Sequence, residues 1–298
     1  MAGQLLLVEE PEAHLHPELQ RVIFTGLQDS SCQVIATTHS THVTSLAPLK
    51  NIVVLTANDS PATTAVVPVT GCGLTAAEEK DLERYLDATR STLLFSRRVI
   101  LVEGMSEVFL IPPLVKKVMG IDLQREGISV IAIHGTHFLS YAKLFKQGGI
   151  EKRCVVITDG DLKPSDSVEE ELADDGLGDL VELLGNPAVA ELRALEGDYF
   201  KVSFCETTFE LALATKGNLK MFGYAARQLG ANVVASSLEQ AHAKASLTPE
   251  EATFVANRVL IRARQAGKAR FAQVSSGYAE HAEDLPKYIR DAVNWVRG

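Results

Sequence analysis

Several acids in this 298-residue chain stand where apolar runs end, and their types and spacing suit chemistry on a phosphate. Glu103 closes "VILVE", Glu107 follows four residues on, and Asp159 and Asp161 form "DGD" after "CVVIT". Glu206 and Glu210 both follow "DYFKVSF" and compete for the same place. A spacing of two points Asp159 and Asp161 to one side of an extended segment. Glu107 is expected in the first turn of a helix, near the positive end of its dipole. Gly104 is expected to let the chain turn sharply after Glu103 and approach a ligand closely. Carboxylates that converge on one cleft repel one another unless cations neutralise them. Oxygen donors without thiolate or imidazole favour Mg²⁺ or Mn²⁺ over zinc. Two such ions, roughly 4 Å apart, would clamp the attacking and leaving oxygens of a phosphodiester displacement. Singly, a strand-end Glu-Gly or a D-G-D is an ordinary turn; it is their combination, in order, that points to a site.

The acids need a scaffold that brings strand ends together. "RRVILVEG", "ISVIAIHG" and "RCVVITDGD" read as strands, separated by the helical stretches "SEVFLIPPLVKKVMG" and "THFLSYAKLFKQGG". Strands alternating with helices of this size predict a parallel sheet covered by helices. Pro112 and Pro113 are expected to interrupt or kink the first helix. "DYFKVSF" adds a strand, and from Thr207 onward the pattern is helical. Ligands of such sheets bind beyond the carboxyl ends of the strands, where Glu103 and Asp159 fall. Upstream, "QLLLV", "CQVIATTHS" and "NIVVLTAND" read as strands, with a helix in "PEAHLHPELQRVIFTGLQ". Ser60 to Thr75 is Pro-, Thr- and Gly-rich and predicts a linker or a peripheral hairpin. Thr75 is placed to cap the helix that follows.

Composition excludes several classes. The apolar fraction of 46% is that of a soluble globular protein, and no apolar run nears the length of a membrane span. The N-terminus lacks the pattern of a secretory signal, and the four scattered cysteines predict a reduced, cytoplasmic protein without disulfides. A net charge of −9 argues against a general nucleic-acid coat. The charge is uneven, however: residues 159–182 hold ten acids and one lysine, and residues 258–270 hold five bases and no acid.

"VILVEGMSE" followed by "VVITDGD" resembles the Toprim signature shared by topoisomerases, primases and several nucleases. In that fold a strand-end Glu and a D-x-D bind divalent metal. "LLLVEEPEAHLHP" resembles the Walker B strand and D-loop of an ABC-type ATPase, which makes Glu9 a Mg²⁺ ligand and Glu10 the water-activating base. "VIATTHS" resembles the next strand and its switch histidine, His39. His14 and His16 read as a surface turn. No G-x-x-x-x-G-K-[ST] loop is present, so this chain alone is not expected to hydrolyse ATP. The first seventy residues read as the end of an ATPase domain, truncated or completed from elsewhere.

Together these features resemble the OLD (overcoming lysogenisation defect) family of nucleases, over essentially the whole chain. The implied organisation is a partial ATPase at 1–70, a connecting helix at 71–94, a Toprim domain at 95–214 with an acidic insertion at 164–197, and a helical subdomain at 215–298. The resemblance implies a Rossmann-like α/β fold and a DNA endonuclease of phage defence or DNA repair. It implies two Mg²⁺ or Mn²⁺ ions held by Glu103, Glu107, Asp159, Asp161 and, from a T-x-E motif in "TTFELAL", Glu210. Lys268, in "GKARFAQ", would stabilise charge on the phosphate. The basic stretch with Arg258, Arg262, Arg264 and Arg270 would contact the DNA backbone. A ligand just after the D-x-D is left open among Ser165, Asp166 and Ser167, and His134 and His137 of "HGTH" stand as minor metal candidates. ATP would matter only in the complete protein, where a homodimer and a UvrD-like helicase partner are also implied. The rival readings are another Toprim enzyme (an RNA-processing nuclease or a primase-like module) and an inert ATPase–Toprim assembly platform. None of the six tyrosines sits in a context that suggests a topoisomerase nucleophile.

Overall fold

The structure is a computed structural model that describes residues 4–57, 64–68, 72–86, 91–135, 138–146, 149–159 and 187–298. Asp161, Ser165, Asp166, Ser167, His137 and most of the acidic run lie outside the described residues.

The central sheet has four parallel strands. They are β5 (Arg98–Val102), β6 (Ile128–Ala132), β7 (Cys154–Thr158) and β8 (Phe200–Phe204), in the order β6-β5-β7-β8. These are the four strands expected from the apolar runs. The chain leaves β5 to one side for β6, then crosses back to place β7 on the other side of β5. The strand order therefore reverses between β5 and β7, and a crevice opens outside their carboxyl ends. All five residues of β7 are buried, as are the last four of β5. That is why both strands read as continuous apolar runs rather than alternating ones.

Helices cover both faces. Ile100, Val102, Val155 and Ile157 face a core shared with α5 (Met105–Met119) and the C-terminal helices. Val99, Leu101, Cys154 and Val156 face the opposite core with α3 (Ala76–Tyr85), α4 (Thr92–Phe95), α6 (Phe138–Ala142) and α7 (Pro187–Ala194). The alternation follows from the two-residue period of a strand. Contrary to expectation, α5 runs without a break through Pro112 and Pro113. Its buried face of Leu110, Ile111, Leu114 and Val115 holds it against the sheet despite the missing donors. The helix read from "THFLSYAKLFKQGG" is shorter than expected: only Phe138–Ala142 is helical, and turns follow.

Beyond β8 come α8 (Phe209–Leu213), α9 (Leu219–Gln228), α10 (Asn232–Ala243), α11 (Pro249–Ala266), α12 (Lys268–Ser276) and α13 (Lys287–Arg297). Thr248 and Glu251 close a reciprocal capping box at the start of α11. α12 packs along α5, and α13 lies on β5, β7 and β8.

The N-terminal segment forms separate, smaller sheets. β1 (Leu5–Glu9) pairs in parallel with β2 (Gln33–Thr37), joined by α1 (Pro17–Gln28), which His16 caps through a bond from Glu18 N. A short helix, α2 (Thr41–Thr44), follows β2. The expected third strand, β3 (Val53–Ala57), pairs antiparallel with β4 (Thr64–Pro68), so the Pro/Thr-rich stretch contributes to a hairpin. Thr75 caps α3 through a reciprocal box with Glu78, as its position suggested. The four cysteines are free, and among the described residues no helix is long and apolar enough to cross a membrane.

Candidate metal centre

The site is built at the reversal point of the sheet. Glu103 leaves the end of β5, and its Oε1 accepts from Thr158 Oγ1 at 2.5 Å and from Asp159 N at 2.8 Å. One carboxylate oxygen thus ties the end of β5 to the end of β7, across the crevice where ligands of such sheets bind. The loop after β6 closes in as well, with Gly135 N donating to Glu103 O at 3.3 Å. His134, in that loop, is exposed and holds φ +56°, a left-handed conformation uncommon outside glycine.

Gly104 corrects the sequence reading. Its φ of −149° is extended backbone open to any residue, so conformation does not demand a glycine. A Cβ there would stand 3.6 Å from Glu107 Oε2, so the glycine leaves clear the space beside that carboxylate. Glu107 lies in the first turn of α5, as expected, and is buried at 8% exposure. Burial pushes its carboxyl up to about 7; its own backbone amide opposes this, the charges of Glu103 and Glu210 add to it, and Lys268 offsets them.

Glu210, in the first turn of α8, is 5% exposed, whereas its competitor Glu206 is exposed. Lys268 Nζ, at the start of α12, lies 3.2 Å from Glu210 Oε2. Burial pulls Lys268 down, but Glu210, Asp159 and Glu107 outweigh it and hold the ammonium above the ordinary lysine value. The fold therefore brings Glu103, Glu107, Asp159, Glu210 and Lys268 into one electrostatic neighbourhood. They come from positions spread over 166 residues of sequence, from 103 to 268 inclusive.

Three oxygens near this neighbourhood are sealed from solvent: Thr208 Oγ1 and Tyr288 Oη lack a well-formed hydrogen bond, and Glu210 Oε2 has only the Lys268 ammonium at 3.2 Å. Buried oxygens of this kind normally have partners, so unpaired ones beside an acid cluster fit a cation or its water as the missing partner. Among the described residues, however, no three acid, histidine or cysteine side chains are already drawn together as a metal cage. The charges explain this. Without a cation, a buried Glu107 inclined to stay protonated and the Lys268–Glu210 pair relieve the repulsion that a closed cage would raise. The donor set fits Mg²⁺ or Mn²⁺ chemically, and closing on it requires the carboxylates to approach.

The expected DNA-facing arginines divide. Arg264 and Arg270 are exposed, and Arg258 stacks 5.0 Å over Phe254 on the rim of an open groove of about 450 Å³ with Asn232, Ser236 and Gln240. Arg262 departs from expectation: it donates to Leu229 O at 2.7 Å and so caps the carboxyl end of α9. In the N-terminal segment, Glu9 ends β1 in an exposed position, and Glu10 takes φ +43°. His39 Nε2 reaches Glu10 Oε1 at 3.7 Å. Glu12 accepts from Thr38 Oγ1 at 2.7 Å and from His39 N at 2.8 Å, a clasp on the histidine turn that the sequence reading passed over. Tyr288 was also passed over. It follows β8 by more than eighty residues, and no local pattern marks it.

Residues 94–161 match the profile of the TOPRIM domain of overcoming lysogenization defect protein-like proteins. This segment is therefore similar to OLD-like Toprim domains. Residues 2–44 match an AAA ATPase domain, so the chain carries one segment similar to an AAA ATPase and one similar to an OLD-like Toprim domain. The chain is 32% identical over 160 residues to the uncharacterized protein YbjD of Escherichia coli K12, covering 54% of this chain and 28% of that protein. It is 30% identical over 173 residues to the Old nuclease of Escherichia phage P2, covering 53% and 28%. With the endonuclease GajA of Bacillus cereus HuB5-5 it shares 25% identity over 187 residues, covering 54% and 27%. The match thus spans little more than a quarter of each of these relatives. The C-terminal region of the Burkholderia pseudomallei OLD protein aligns in structure with TM-score 0.48 and 26% identity, over 68% of this chain and 98% of that one.

Proposed function

We propose that this chain is the catalytic part of an OLD-type, divalent-metal-dependent DNA endonuclease. The observation that carries the reading is the convergence of Glu103, Glu107, Asp159 and Glu210, with Lys268, at the reversal point of a Toprim sheet. The relatives named as a nuclease and an endonuclease point to the same activity. Asp161 completes the set by its place in the D-x-D.

In this reading Glu103, Glu107, Asp159, Asp161 and Glu210 would hold the metal. Mg²⁺ or Mn²⁺, when bound, supplies Lewis-acid polarisation of the phosphate and a more acidic water. Glu103, clamped through Thr158 and the Asp159 amide, fixes the spacing of the two strand ends. Lys268 pairs with Glu210 in the resting site and turns to a phosphate oxygen as charge develops there. Glu107 releases its proton as the site fills, because a cation beside it reverses the field that kept it neutral. Arg264 and Arg270, which are exposed, and the half-buried Arg258 offer positive charge for the DNA backbone. The N-terminal segment contributes Glu9, Glu10 and His39 to an ATPase centre whose phosphate-binding loop comes from outside this sequence.

Supercoiled plasmid incubated with the protein and Mg²⁺ or Mn²⁺, without ATP, tests the reading. Nicked and linear products are expected, and Asp159→Ala should yield neither. Intact plasmid under both metals would refute the nuclease, and equal cutting by Asp159→Ala would refute the site. Structured RNA in a parallel reaction separates an RNA-processing enzyme, since preferential RNA cleavage would replace DNA as the substrate.

A further inference from the structure

Of the three sealed oxygens, Glu210 Oε2 and Thr208 Oγ1 belong to the segment that carries the acid site itself. Tyr288 comes from elsewhere. It sits in the first turn of α13, and its carbonyl accepts from Ser203 Oγ at 2.8 Å, which fastens that turn to β8. The helix packs on β5, β7 and β8, the strands whose ends form the crevice. Its hydroxyl lies beside the Cys205 thiol, a weak partner at best, and makes no full hydrogen bond. Cys205 N in turn donates to Thr158 O at 2.9 Å, one residue before Asp159.

Such a hydroxyl is costly. A buried donor without a good partner has lost its hydration for nothing in return, and phenylalanine would fill the same space without that loss. Burial first, then Cys205, Asp159 and Glu107, hold the phenol far above the ordinary tyrosine range, so it remains an O–H donor. A donor sealed beside Cys205, whose backbone is bonded to the residue before Asp159, is suited to an acceptor oxygen that arrives with the ligand.

We propose that Tyr288 is a positioning residue of the acid site, its hydroxyl held ready to donate to an oxygen on the Asp159 side once the carboxylates close on a divalent cation. The inference rests on the metal-site reading above. It gives α13 a part in the site rather than in packing alone.

Tyr288→Phe removes the hydroxyl and keeps the ring. The test compares it with the wild type by thermal melting in EDTA and by calorimetric titration with Mn²⁺. In EDTA the variant is expected to melt as high as the wild type or higher, since no partner is lost. Its Mn²⁺ affinity is expected to fall about tenfold, the scale for groups that orient metal ligands. Ser203→Ala, which loosens the same helix turn without touching the hydroxyl, should leave Mn²⁺ affinity unchanged. A variant that melts lower in EDTA yet binds Mn²⁺ as the wild type does would make the hydroxyl structural and overturn the proposal. So would unchanged melting with unchanged affinity, or an equal loss of affinity in Ser203→Ala. If the wild type itself gives no Mn²⁺ heat, the metal reading fails and takes this proposal with it. A wild type that binds while Tyr288→Phe binds equally sinks the Tyr288 proposal alone.

Discussion

The strands Leu5–Glu9 and Arg98–Val102 are written alike, apolar residues leading into an acid, yet the fold treats them differently. Leu5 and Leu7 are 55% and 68% exposed, whereas Ile100 and Leu101 are at 0%. Among the described residues β1 pairs with β2 alone and its leucines stay exposed; β5 has a strand on each side and a core on both faces. The acids differ in the same way. Glu10 meets His39 across 3.7 Å in the open, while Glu103 is locked by two hydrogen bonds beneath a packed sheet. A strand-end acid becomes a site when the strand behind it is fixed well enough to hold the carboxylate still. By that criterion Glu103 at the β5–β7 crevice is held in place, whereas the Glu10 turn is not.

The largest effect expected from breaking the comparison is on the Toprim side. Asp159→Ala removes a ligand candidate from the buried sheet and should reduce plasmid cleavage by roughly a thousandfold or more, the several kcal/mol that metal-borne charge stabilisation supplies. Circular dichroism should show an intact fold. Residual cleavage within tenfold of the wild type would move the centre away from the β5–β7 crevice. Lys268→Ala should cost about a hundredfold in turnover, the scale of one transition-state charge stabiliser, with little change in KM. Lys268→Arg should recover part of the loss. A pure KM effect would instead make Lys268 a DNA-backbone contact.

Much of this site was legible in the sequence because parallel strands buried on both faces leave an unmistakable mark. "VILV" and "CVVI" have no charged residue or alternating polar pattern to mislead, and the acids that come just after them must lie at strand ends. Glu210 was harder, since choosing it over Glu206 required knowing which one faces inward, and only packing against α11 decides that. Arg262 and Gly104 were read for the wrong reasons. A basic run does not show which guanidinium has a carbonyl to cap, and a glycine in a motif does not reveal its φ. Tyr288 had no local signal at all, because its link to the site is a packing of α13 on three strands. The break expected at Pro112 and Pro113 failed because tertiary burial outweighed a local preference.

Glu107 gives a subtler test, in pH. Its folded carboxyl, raised from 4.5 to about 7, binds a proton more readily than the unfolded chain does. The stability it contributes is therefore fully present below about 4.5 and is lost as pH rises through about 7. In EDTA, Glu107→Gln should match the wild type near the lower value and be more stable above the upper one, by at most about 3 kcal/mol. Melting scans in paired buffers check this. The advantage should disappear or reverse in Mn²⁺, because the wild type then gains from a charged Glu107 and the variant cannot. Parallel curves at every pH would mean that Glu107 is not held neutral in the resting site.

The smallest effect belongs to the N-terminal side and is the most direct probe of the contrast. Leu7 and Ile35 are register partners on β1 and β2, exposed at 68% and 52%. Leu7→Asp or Ile35→Asp in this chain should change stability by no more than about 0.5 kcal/mol, as for surface substitutions, and leave plasmid cleavage unchanged. The same change at Leu101, whose partner Val156 is also at 0% exposure, should abolish folding by placing an unpaired charge in the core. If Leu7→Asp instead unfolds the chain, then β1 is covered in solution and the two strands are not the contrast drawn here.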